Sequence, residues 1–178
     1  MKNGINTNDN TINDVKEELK AITKEKNEII KKDNVLEEYR DMPREIKGFK
    51  VIGKIEIPKV GLNSYILAET NKKSLKASVT KLYGPEINKV GNFCIAGHNY
   101  RNNKMFGGIK KLEKGDQVIL TDTFGRKVTY EVYDNYQVNP KDVSALTQET
   151  GGERELTLIT CTAGAIKRVI VKAVEVYD

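Results

Sequence analysis

Near the end of the chain, Leu156-Thr157-Leu158-Ile159-Thr160-Cys161-Thr162 is a β-rich run that closes on a cysteine. After a short polar connection, Arg168-Val169-Ile170-Val171-Lys172-Ala173-Val174 begins another. β-Branched side chains crowd a helix at χ1 but pack well on a pleated surface, so both runs predict strands. Cys161 then falls at a strand end, and Arg168 opens the next strand. Read from the residues alone, Cys161 is either a nucleophile with a cationic neighbour or a small buried hydrophobe, the usual state of a cysteine in a strand.

The same grammar recurs upstream. Ile52 and Lys54 to Ile57 alternate and stop at the turn Pro58-Lys59-Val60-Gly61, and Leu62 to Leu67 is the return strand. Val79 to Tyr83, Asn92 to Gly97, and the hairpin of Gln117–Thr123 with Arg126–Val138 around Phe124-Gly125 follow. Eight short strands with turn signals predict a mainly β fold, a closed or nearly closed, antiparallel-rich barrel. A short helix or turn is expected at Asn71–Ala77, a short helix at Met105–Leu112 and a helical turn from Pro140 through Leu146.

Residues 1–10 are polar and Asn-rich and read as disordered. Beyond them Ile12, Val15, Leu19, Ile22, Ile29 and Leu36 form an amphipathic helical stripe, interrupted at Lys26 and Asp33, with Asn10 or Thr11 as cap. It should end near Arg40, because Pro43 biases its predecessor away from helix. The expected division is 1–48, a helical or flexible appendage, and 49–178, the β-barrel. The appendage is either a regulatory or dimerising element or a solvated spacer.

Composition narrows the chemistry. The chain has two cysteines and one histidine, with no Cys-x-x-Cys spacing, which argues against a disulfide framework, a zinc site or any other metal. No stretch reaches the roughly 18 apolar residues of a membrane span. Residues 1–50 carry 11 basic and 11 acidic side chains, so the net charge of +5 belongs to 51–178. That suits an anionic surface; nucleic acid is not expected, because no binding motif and no interleaving of aromatic with basic residues accompanies the charge.

The histidine, His98, lies at the polar end of Phe93-Cys94-Ile95-Ala96-Gly97-His98-Asn99-Tyr100. An upstream Gly-His at a strand end, combined with Thr-Leu-Ile-Thr-Cys and a following Arg, resembles the sortase family of Gram-positive cysteine transpeptidases. The resemblance runs from about Ile52 to Val176. It implies an eight-stranded barrel and a Cys-dependent transfer. A sorting signal of the Leu-Pro-x-Thr-Gly kind on a surface protein is cleaved between Thr and Gly. The acyl group then passes to an amine, such as a cell-wall precursor or a pilin lysine.

By that resemblance Cys161 is the nucleophile, His98 the proton donor and acceptor, and Arg168 the group that holds substrate carbonyls or the developing oxyanion. No cofactor is implied. Thr160, through its hydroxyl, and Thr162, through its backbone N–H, are weaker oxyanion and substrate-binding candidates. Lys167 competes with Arg168, since strand neighbours point to opposite faces. Cys94 is expected to be an inert buried thiol.

Glu149, Glu153 and Glu155 resemble part of a calcium site of some relatives, but with only Glu86 near Tyr83–Asn92 no such site is expected. Asp41-Met42-Pro43 lacks the aromatic of a pilin-type lid, and no long helix is inserted between Val138 and Leu156, which favours a class A- or D-like member. The family acts at the outer face of the membrane, tethered by an N-terminal helix for which this chain shows no apolar segment. Two other readings stand beside this one: a Cys-dependent hydrolase on the same barrel, and an inactive binding module with Cys161 in its core.

Overall fold

The computed structural model describes residues 16–30, 42–102 and 104–177. They fall into two compact units, 1–41 and 42–178. The first contains helix α1 (16–30), which runs uninterrupted through Lys26 and exposes Leu19, Ile22 and Ile29. The expected cap at Asn10 or Thr11, the apolar residues Ile12, Val15 and Leu36, the polar stretch 1–10 and the helix end near Arg40 lie outside the described residues. No helix among the described residues is long and apolar enough to cross a membrane.

The second unit is a barrel. Its strands are β1 (Glu45–Ile46), β2 (Phe49–Ile57), β3 (Leu62–Leu67), β4 (Val79–Tyr83), β5 (Gly91–Ala96), β6 (Gln117–Asp122), β7 (Lys127–Val138), β8 (Arg154–Cys161) and β9 (Arg168–Glu175). Neighbours run β2-β3-β4-β5-β8-β9-β7-β6, and β6 pairs back onto β2, so eight strands close with no free edge between them. The β3–β4 and β5–β8 pairs are parallel and the rest antiparallel. The expected mainly β, eight-stranded barrel with few short helices is thus what the chain forms.

Strand β1 is an addition to it. Lys47 and Gly48 have φ of 50° and 83°, the paired left-handed geometry of a two-residue hairpin, and they fold β1 back onto β2. Inside β2, Gly53 sits where the strand pairs on both sides. A Cβ there would stand 2.6 Å from the Thr121 carbonyl, so only glycine lets β6 approach.

The barrel interior is filled by alternate residues: Ile55 and Ile57, Phe93 and Ile95, Val118 and Leu120, Tyr130 and Val132, Leu156 and Leu158, Val169 and Val171. Helix α2 (Ser74–Ala77) is opened by Asn71, whose Oδ1 accepts from the Lys73 and Ser74 amides. The helix expected over Met105–Leu112 is instead turns and a single 3-10 turn, Ile109–Lys111. Phe106, Ile109 and Leu112 are all buried, and their spacing of three matches a 3-10 repeat, while Gly107-Gly108 disfavours a helix. Of Pro140–Leu146, only Ser144–Leu146 is helical, again 3-10.

Candidate active site

The cysteine, the arginine and the histidine come from three adjacent strands. Leu156 and Leu158 face the interior, so by alternation Thr157, Ile159 and Cys161 face outward. The β8–β9 register sets Cys161 directly opposite Arg168, and residues opposite each other share a face. On the other side of β8, β5 runs parallel, with Ala96 beside Ile159, and delivers His98 just past its end. Lys167 belongs to the connection and is exposed. Among the described residues Arg168 Nη1 is one of three buried side-chain polar atoms without a hydrogen-bond partner, and it lies on the Cys161 face. Burying a cationic donor unpaired is costly, so this atom has an open demand for an acceptor.

His98 and Cys161 line one cleft of about 660 Å³, with Tyr100, Gly107 and residues 162–165 of the β8–β9 connection. Both are partly exposed. The His98 ring lies 5.6 Å from that of Tyr100, tilted by 53°. Three contacts fix the backbone that carries His98. The Gly97 amide donates to the Ile159 carbonyl at 3.1 Å, Thr160 Oγ1 donates to the Gly97 carbonyl at 2.7 Å, and Asn99 Nδ2 donates to the Cys161 carbonyl at 2.8 Å. Gly97 itself passes under Phe106; a Cβ would sit 2.7 Å from that ring and 2.9 Å from Val79 Cγ1.

These contacts redirect the two weaker candidates. Thr160 is buried, and its one hydroxyl hydrogen goes to Gly97, leaving none for an oxyanion. The Thr162 amide donates to the Lys167 carbonyl at 2.9 Å, and Thr162 Oγ1 accepts from the Lys167 amide at 3.0 Å. Both threonines brace the site. Asn99, absent from the expected set, ties the histidine segment to the carbonyl of Cys161 itself. Its position next to His98 was the available signal; its partner is a main-chain carbonyl 62 residues away, which no local pattern reveals.

Further down the same outer face, the three strands build one polar network beneath a loop carbonyl. Asn92 Nδ2 of β5 (2.8 Å) and Lys172 Nζ of β9 (3.2 Å) donate to Ala145 O, and Thr157 Oγ1 of β8 donates its one hydrogen to Asn92 Oδ1 at 2.7 Å. Lys172 also donates to Thr157 Oγ1 at 2.8 Å and lies 3.5 Å from Glu155. This buried network pins the 139–153 loop over the face that ends at Cys161 and Arg168. Cys94 lies beneath it, fully buried; burial pushes its thiol up to about 11, with the Lys172 charge opposing. A thiol held neutral in this way is a poor nucleophile.

A part-exposed thiol, a histidine and an unpaired guanidinium at the ends of three adjacent strands of one barrel are the groups that a cysteine-dependent acyl transfer requires. The particular family follows from comparison. Residues 55–176 match the Sortase domain family, and the chain belongs to the sortase family, whose members are cysteine transpeptidases. Sortase A of Listeria monocytogenes is 33% identical over 112 residues, covering 62% of this chain and 49% of that protein. Sortase A of Bacillus anthracis is 32% identical over 115 residues, covering 64% and 53%. The chain therefore spans about half the length of the curated relatives it matches. Among solved structures, a Clostridium perfringens Sortase D5 transpeptidase superposes with a TM-score of 0.66 at 32% identity, covering 79% of this chain and 88% of that one. Sortase A from Corynebacterium diphtheriae (lid mutant) shares the fold, at TM-score 0.67 and 24% identity, over 83% and 94%.

Proposed function

We propose that this chain is a class A- or D-like sortase that cleaves a Leu-Pro-x-Thr-Gly-type signal on surface proteins. It joins the released acyl end to an amine of a cell-wall precursor or a pilin, acting at the cell surface. The observation that carries this reading is the in-register pair of Cys161 with Arg168, whose buried Nη1 lacks a partner, at the edge of a cleft shared with His98.

In this reading Cys161 Sγ, as thiolate, attacks the carbonyl carbon of the scissile Thr–Gly bond. Negative charge develops on the carbonyl oxygen, and Arg168 supplies the donor that meets it. As the C–N bond breaks, His98 gives its proton to the departing Gly amine, and a thioester on Cys161 remains. The incoming amine then attacks the thioester and passes its proton to His98, and the thiolate leaves. Arg168 rather than Lys167 fits the oxyanion role, since Lys167 is exposed in the connection. Thr160 and Asn99 position the histidine and cysteine segments.

The test is to incubate the protein with Leu-Pro-x-Thr-Gly peptides and related sorting sequences and to locate the acyl adduct by mass spectrometry. The expected result is a thioester on Cys161 that an added amine discharges to a new amide. Turnover surviving Cys161→Ala, or an adduct on Cys94, overturns the assignment.

A further inference from the structure

The cleft that holds Cys161 and His98 is one-sided in charge. Arg101, Lys110 and Lys111 are among its lining residues, and no Asp or Glu is. All three cations are exposed, and none is held in an ion pair among the described residues, although the protein makes such pairs elsewhere, at Arg154–Glu175 and Lys172–Glu155 for example. Three like charges gathered around one concavity repel one another and focus a positive potential into it. Nothing in the packing requires them: the neighbours that fill the core there are Phe106, Ile109 and Leu112, and the lysines stand on the opposite side of the 3-10 turn.

The position of this charge says which part of the reaction it meets. A histidine that protonates the departing amine and accepts the proton of the incoming one must reach both, so the amine lies on the side of Cys161 that His98 lines. Arg168 is not among the residues lining that cleft; it stands across from Cys161 on β9, where the acyl carbonyl belongs. The two halves of the substrate therefore meet different electrostatics. The acyl half meets the polar-anchored outer face of β8 and β9, and the amine half meets three free cations.

Resting on the transpeptidase reading above, we propose that the Arg101–Lys110–Lys111 cleft selects an acceptor amine that carries a free carboxylate, a peptide or diamino acid with an unblocked acid group, over the same amine with its acid amidated. The carboxylate holds the acceptor in the cleft while its amine faces His98 and the thioester. An uncharged amine binds there with only the polar contacts, and a cationic amine substituent is disfavoured.

The experiment is a partition measurement on the full chain. Acyl-enzyme formed from a sorting peptide is offered triglycine or triglycine amide, and lysine or lysine amide, and the ratio of aminolysis to hydrolysis is read by mass spectrometry. Free-acid acceptors should win by about three- to tenfold at low ionic strength, the scale of one or two part-exposed charge contacts. The advantage should shrink towards parity near 1 M salt, where the screening length falls to about 3 Å. In the R101E/K110E variant the preference should reverse towards the amides.

Equal partition of acid and amide at low salt overturns the proposal, as does a preference unmoved by both salt and charge reversal. A second arm varies the leaving half of the donor peptide, acid against amide. If the carboxylate effect appears there, in the rate of acyl-enzyme formation, and not in the acceptor partition, the cleft reads the leaving group and the proposal is wrong. Absence of any acyl-enzyme on Cys161 overturns the transpeptidase reading itself and this inference with it.

Discussion

Arg168 tests the site at the scale of one side chain. Its guanidinium keeps its charge and offers a rigid fork of donors, whereas lysine presents a point charge on a flexible stem. Arg168→Ala is expected to lower peptide turnover by on the order of 10²-fold or more, the scale of losing one oxyanion donor, and Arg168→Lys should recover little of it. Lys167→Ala should be mild. Steady-state turnover of the three variants checks this, and a Lys167 effect larger than that of Arg168 refutes the assignment. The strand-end positions of Cys161 and Arg168 were legible in the sequence because a β-rich context is local, whereas the roles expected of them came from the family resemblance. The bond of Asn99 to the Cys161 carbonyl and the bond of Thr160 to Gly97 were not legible, since each joins segments that meet only when β5 and β8 lie side by side.

The two thiols make a further contrast at this scale. Burial holds the Cys94 proton to about 11, up from 9.0. Because its folded value is raised, the stability this thiol contributes is full below pH 9 and is lost as pH climbs towards 11. Buried Tyr130, whose hydroxyl is also shifted upward by burial, adds to the same alkaline loss. In the native protein at pH 8, iodoacetamide should label Cys161 alone, with Cys94 reacting only on unfolding. Urea midpoints should fall between pH 9 and 11, less steeply in Cys94→Ala. Rapid native labelling of Cys94 would refute its burial.

Among elements, the 139–153 loop depends on Lys172 more than its position near the chain end suggests. A lysine on β9 reads as a solvated strand residue, yet here it is 6% exposed and bonds Ala145 and Thr157. Replacing it with methionine keeps the apolar stem but leaves the Ala145 and Thr157 oxygens short of a donor and Glu155 without its ion pair. Such a change costs about 2–4 kcal/mol by the scale of broken buried polar contacts. In a unit of this size that lowers Tm by roughly 5–15 °C. The loop should loosen over the outer face, so KM for the sorting peptide rises more than kcat falls; Lys172→Arg should restore part of both. Calorimetry and peptide kinetics together decide it, and unchanged Tm and KM would refute the anchor. The strands were legible from alternation and turn residues, but the 105–112 segment was not. Its apolar spacing of three, at Phe106, Ile109 and Leu112, fits 3-10 geometry as readily as it fits one turn of an α-helix, and the burial of all three decides for the former.

At the scale of the whole molecule, the barrel closes on itself within residues 42–178. Strand β6 returns to β2, and among the described residues every buried hydrophobic lies between Val51 and Ala173. Residues 1–50 balance their charge, 11 basic against 11 acidic, while the excess of +5 sits on the part of the chain that carries the site. Helix α1 exposes Leu19, Ile22 and Ile29, and an isolated helix of its length is marginal in water without a packing partner. The lower limit of the barrel unit is instructive, because the first strand expected from the sequence begins at Ile52 and no pattern there marks β1. A two-residue strand has no periodicity to read; only the left-handed Lys47-Gly48 pair marks it, and the Val51 amide, bonded to the Arg44 carbonyl, depends on it. A protein beginning at Met42 is therefore expected to fold, with Tm within a few degrees of the full chain and unchanged peptide turnover. One beginning at Gly48 loses the β1 hairpin and should be less stable by about 1 kcal/mol, or roughly 2–8 °C in Tm. If removal of residues 1–41 instead raises turnover and the rate of Cys161 alkylation several-fold, the appendage restrains the site rather than spacing it. If the Met42 protein fails to fold, the barrel is not an autonomous unit. Scanning calorimetry and the two rates on all three chains separate these outcomes.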